Sequence, residues 1–140
     1  ERLKEDLFDK LDGMIRDVDA IEDRYPQIMT EYREKLTLKV EELLGDAQME
    51  EGRIAAEVIL FADKICTDEE TVRLRSHIES MREELLSGGS VGRKLDFLAQ
   101  EMNREANTIL SKANDLETSN RAINLKTEIE KVREQIQNIE

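Results

Sequence analysis

Tryptophan is absent from this 140-residue chain, proline and cysteine occur once each, and aromatic residues make up 4% of it. Each scarcity excludes something. So few aromatics argue against sheet-rich folds, whose strands favour Tyr, Phe and Trp. With Cys66 alone, neither a disulfide framework nor a Cys-based zinc site can form within one chain, and a reduced, cytoplasmic setting is the natural expectation. No apolar run approaches the roughly 18 residues that a membrane span needs. The opening stretch, ERLKED, is neither a signal nor a transit peptide; it lacks an initiator Met and begins in mid-helix pattern, as a fragment of something longer would.

What is abundant is charge. Asp and Glu total 33 against 21 Lys and Arg, a formal net charge of -12. Such a field repels phosphate, so bulk nucleic-acid binding does not follow from composition, and DNA is not an expected partner. Few helix breakers and many Glu, Lys, Arg and Leu predict an all-α protein: a long N-terminal helix, kinked or broken near Pro26, followed by a bundle of about four further helices.

Residues 1–44 form one heptad-patterned segment. Leu7, Leu11, Met14, Val18, Ile21, Tyr25, Ile28 and Tyr32 alternate steps of four and three, and Leu36, Val40 and Leu43 continue the seam. The pattern keeps phase across Pro26, as one kinked helix would; the alternative is two helices with Pro26 in the first turn of the second. A single helix of this length would span about 66 Å and overshoot a domain this small.

Residues 45–140 read as the bundle. Gly45-Asp46 breaks the pattern. A second helix from about Met49 to Lys64 has a wide apolar arc (Ile54, Ala55, Val58, Ile59, Phe61, Ala62), as if buried on much of its circumference. Thr67 with Glu70 three residues on is a capping-box signal for a third helix ending at Gly88-Gly89. Ser90 can cap a fourth from Val91 to Ala113, and a fifth runs from Leu116 on the seam Ala122, Leu125, Ile129, Val132, Ile136, Ile139. The two terminal seams offer apolar edge for a second chain.

The fourth helix is the most informative. Opposite its apolar arc run Gln100, Asn103, Arg104, Asn107, Thr108 and Ser111, flanked by Glu101, Glu105 and Lys112. Amides and hydroxyls are mediocre helix formers, so this row is either a hydrogen-bonding surface for phosphates, sugars or base edges or a polar seam against another helix or subunit. Glu101 and Glu105 share a face and could hold a divalent cation, or be two solvated glutamates. His77, the single histidine, lies beside Arg73 at the edge of the third helix's apolar arc; it is a candidate proton carrier or a structural residue. Phe97 falls among polar residues, where it either stacks on a base or plugs a subunit contact.

Four stretches carry a resemblance: RIAAEV (53–58), VRLRSH (72–77), GRKLDFLAQEMNREANTILSKA (92–113) and LKTEIEKVREQIQNIE (125–140). They resemble the bacterial YicC-like family, closely from about residue 49 and more loosely over 1–44. Members are about twice this length and close on the same Q-N-[IV]-E, so the resemblance implies that an N-terminal domain is missing here and that Glu140 is the native C-terminus. It further implies a metal-dependent (Mg or Mn) endoribonuclease acting on single-stranded RNA, and a ring-like homo-oligomer, a hexamer in the full-length protein, in a family long described as stress-induced. On that reading His77, Arg104 and Glu105 are the catalytic candidates. Arg73, Gln100, Asn103, Asn107, Ser111 and Lys112 are the RNA-binding ones, and Glu101 and Glu105 the metal ligands. The alternative is a non-catalytic helical assembly module whose amide row is a subunit joint.

Overall fold

The computed structural model describes residues 2–44, 51–88 and 92–139. All of its regular structure is helical: α1 (Arg2–Leu44), α2 (Glu51–Ile65), α3 (Asp68–Ser87), α4 (Gly92–Lys112) and α5 (Leu116–Ile139). The expected break at Gly45-Asp46, the start of the second helix at Met49 and the caps at Gly89 and Ser90 lie outside the described residues.

α1 is continuous through Pro26. Its heptad seam is real over its first two-thirds, where Leu7, Leu11, Met14, Val18, Ile21 and Ile28 are buried. Beyond that the seam surfaces: Leu43 is 72% exposed. The reason is length. At 1.5 Å per residue α1 runs about 65 Å, and its bundle partners of 20 to 24 residues reach about half that far.

Cross-helix pairs fix the directions. Gln135 donates to Asp6, Asn124 to Asp17 and Arg24 to Asp115, so α5 runs antiparallel to α1. Arg75 meets Asp19 and Glu22, and Arg82 meets Asp12, so α3 is antiparallel to α1 as well. Arg133 with Asp96 sets α4 against α5, and Lys94 with Glu84 sets α3 against α4. The result is a four-helix bundle of α1, α3, α4 and α5 around one core, with Leu74, Ile78 and Met81 from α3, Met102 and Ile109 from α4, and Leu125, Ile129 and Ile136 from α5 among its fully buried side chains. The seam of α5 from Ala122 to Ile136 and that of α1 from Leu7 to Ile21 bury against this shared core, whereas the end of the α1 seam, with Leu43, stays at the surface.

α2 corrects a further expectation. Its wide arc is covered only in part: Ile54, Ala55, Val58, Phe61 and Ala62 are half-buried, Ile59 is 61% exposed and Ile65 is buried, while Leu60 outside the arc is 62% exposed. α2 packs chiefly on α1, and one neighbour can cover only one side of a helix. The contact is specific where it exists. The Tyr25 hydroxyl donates to the Ala62 carbonyl at 2.9 Å, and Tyr32 stacks on Phe61 with centroids 3.8 Å apart. Among the described residues no helix is long and apolar enough to cross a membrane.

Candidate RNA-processing face

α3 and α4 bring together side chains from the two most distinctive sequence stretches. Arg73 Nε donates to Glu105 Oε2 at 3.0 Å, and an Arg73 terminal nitrogen lies 3.6 Å from Glu70. Lys112 Nζ donates to both Glu70 oxygens at 3.2 Å and to the Cys66 carbonyl at 3.0 Å. Glu70 and Glu105 are both buried. Two buried carboxylates thus face two cations, which is the pairing that lets such charges stay out of water, and the exposed Glu69 adds a third carboxylate 3.7 Å from Arg73. The hydrogen bond to Glu105 raises the Arg73 pKa further above its already high ordinary value.

Glu70 is the residue that the sequence reading misplaced. Thr67 does sit at the N-cap of α3, but it makes no side-chain cap bond. Its carbonyl accepts from the Thr71 N–H at 2.9 Å, and the Thr71 hydroxyl donates to the Asp68 carbonyl. The capping box fails because the Glu70 carboxylate, which would have to reach back toward Thr67, is turned inward onto Lys112. A signal was present: Glu70, Leu74, Ile78, Met81 and Leu85 are spaced by four, four, three and four, so Glu70 stands on the apolar row of its helix.

The register that pairs Arg73 with Glu105 and Glu84 with Lys94 puts His77 level with Glu101 on the same seam. Both are half-buried and neither joins an ion pair among the described residues. The amide row is at the surface. Gln100, Arg104, Asn107 and Ser111 are exposed and Asn103 is partly so. Gln100 donates to Asp96, whereas the Thr108 and Ser111 hydroxyls are satisfied by carbonyls of their own helix. The Arg104 guanidinium has no acidic partner among the described residues. Of the cations expected to meet RNA, Arg104 is therefore open, Arg73 is half-exposed but engaged, and Lys112 is engaged on both sides.

A divalent cation finds no ready cage. Among the described residues no three His, Cys, Asp or Glu side chains assemble as a ligand set. Glu101 and Glu105 are one turn apart, but Glu105 points into the seam and Arg73 takes its oxygen. As arranged, Glu101 is the one of the two whose carboxylate is not engaged by an ion pair among the described residues.

A depression of about 250 Å³ lies elsewhere, where α1, α2 and the α4–α5 turn meet, lined by Arg24, Tyr32, Phe61 and Asp115 among others. It is closed by ion pairs of Arg24 with Glu31, Asp115 and Glu117. Burial alone would raise the Asp115 pKa, but hydrogen bonds from Thr118 and Arg24 outweigh it and the carboxyl is held below the usual range. Asp17 is a second buried acid missed from sequence; Arg121 and Asn124 donate to it at 3.1 and 2.7 Å. Both clusters fasten α1 to α5.

An all-helical bundle carrying a charged seam and an amide-lined open face defines the class. The model of the endoribonuclease YicC-like C-terminal domain matches residues 21–140, and the chain belongs to that family. A probable endoribonuclease YicC of Clostridioides difficile is 45% identical over 141 residues, and one of Haemophilus influenzae is 37% identical over 140. Each comparison covers all of this chain and 48% of the relative, so the chain spans about half the length of these curated relatives.

Proposed function

We propose that this chain is the RNA-handling helical domain of a metal-dependent endoribonuclease that cleaves single-stranded RNA in the cytoplasm. The observation that carries the reading is the union on α4 of an exposed amide row around the unpaired Arg104 with a seam edge where Arg73, His77, Glu101 and Glu105 gather. Family membership and the printed names of the relatives support the nuclease assignment.

On this reading Gln100, Asn103, Asn107 and Ser111 hydrogen-bond sugar, phosphate or base edges, which in an unpaired strand are open to side chains. Breaking a phosphodiester requires the attacking oxygen to lose a proton and the leaving oxygen to gain one. His77, the one imidazole of the chain, moves that proton. Arg104 and the exposed side of Arg73 offset charge on the phosphoryl oxygens. Lys112 acts on RNA through Glu70, as part of the clamp that positions the seam. Glu105 fixes the Arg73 guanidinium. Metal dependence belongs to the same proposal: Glu101 is the uncommitted carboxylate at this seam, and further donors would come from RNA phosphates or from the rest of the full-length protein.

The working unit is a homo-oligomer, a hexamer in the full-length protein. The exposed Leu38, Leu43, Ile59 and Leu60 of the α1–α2 arm support a contact between copies. The test is incubation of the full-length protein with labelled single-stranded RNA, duplex RNA and single-stranded DNA, with Mn²⁺ or with chelator. Cleavage of the single-stranded RNA alone, abolished by chelator, is expected. Equal cleavage of all three, or none, would refute the reading.

A further inference from the structure

Four of the five aromatic side chains are occupied. Phe8 packs beside the core with Arg82 above its ring, Tyr25 bonds Ala62, and Tyr32 and Phe61 stack on each other. Phe97 alone stands open, 58% exposed on α4. Its position on the helix is defined by its neighbours. Arg104 is seven residues on, two turns along the same row and about 10 Å away; Arg93 is one turn before it, about 6 Å away. Neither arginine joins an ion pair among the described residues, as is also true of Arg16, Arg33 and Arg53, so both guanidinium groups on this row are open to an anion. No acidic residue lies in the first turn of α4, and Asp96 is turned aside onto Arg133.

We propose that Phe97 is a stacking platform for one base of the bound RNA strand, with Arg93 and Arg104 holding phosphates on either side of it. The inference rests on α4 being the RNA-facing helix. A subunit plug would sit among apolar neighbours, but the row around Phe97 presents Arg93, Gln100 and Arg104. A ring flanked by unpaired cations offers the two contacts that an unpaired strand can take at once, base face and phosphate. A duplex cannot use the ring, because its bases are already stacked on each other. Arg93 and Phe97 thereby join the binding residues and favour single strands.

The experiment uses the full-length protein and a 2′-O-methyl RNA oligonucleotide carrying 2-aminopurine, whose fluorescence falls when the base stacks on a ring. The parent protein should bind and quench. Phe97→Ala should lose the quenching and bind about tenfold more weakly, Phe97→Tyr should restore both, and Phe97→Leu should not. Arg93→Ala should lower the salt slope of binding by about one. If the parent binds and Phe97→Leu matches it in affinity and quenching, the proposal falls while the α4 reading stands. If Phe97→Ala lowers the assembled mass, Phe97 is a subunit contact and the proposal falls likewise. If the parent binds no RNA, both fall.

Discussion

Arg73 on α3 and Glu105 on α4 share one hydrogen bond at 3.0 Å, but the two partners are unequally placed: the Glu105 side chain is 6% exposed and the Arg73 side chain 49%. Removing either partner therefore has different consequences. Arg73→Ala leaves a buried carboxylate without its main partner and should cost about 3 kcal/mol. Glu105→Gln leaves an arginine that can turn to water and should cost about 1 kcal/mol. Urea denaturation of the two variants checks the order. Equal losses would mean that Glu105 is hydrated in solution.

The core and the arm should respond in opposite ways. Leu74 is fully buried in the bundle, so Leu74→Ala should lower unfolding free energy by about 3 kcal/mol. The double change Ile59→Ser with Leu60→Ser removes apolar groups that α1 does not cover. It should leave helix content intact while reducing the assembled mass of the full-length protein in sedimentation. Retained mass would place the contact between copies on another surface.

Asp115 supplies a pH test. Its carboxyl is held below the ordinary 3.8, so its folded-state pKa is the lower one. Its contribution is then fully present at neutral pH, begins to fade as the unfolded chain takes up protons near that value, and is lost as pH falls through the folded pKa. Asp115→Asn should be less stable at pH 7 and show a shallower loss of stability below about pH 4 than the parent. Parallel acid-denaturation curves would contradict the assignment.

The parts of this fold legible in the sequence are those set by periodicity. The buried arcs of α3, α4 and α5 and the first two-thirds of α1 follow their three-and-four spacing because each meets a neighbour of matching length. Periodicity records an apolar arc but not how many helices cover it, which is why Ile59 looked buried. Local motifs fail for a related reason. The Thr67 and Glu70 pair has the spacing of a capping box, yet a lysine 42 positions away at Lys112 claims the glutamate. Likewise the spacing of Glu101 and Glu105 puts them on one face of α4, while the Arg73 that occupies Glu105 belongs to another helix. The candidate site was legible as a row of residue types on α4. The charge balance beneath it, Glu70 with Lys112 and Arg73, was not, because it exists only once α3 lies antiparallel to α4.

The most direct test of the account is the single-turnover cleavage rate of labelled single-stranded RNA by the full-length protein carrying His77→Ala or Arg104→Ala, with helix content and assembled mass matched to the parent. If the seam of α3 and α4 does the chemistry, His77→Ala should slow cleavage by about 100-fold or more, and Arg104→Ala should weaken binding with a salt slope lower by about one. Cleavage and binding at the parent level in both variants would contradict the account and make this surface a structural joint.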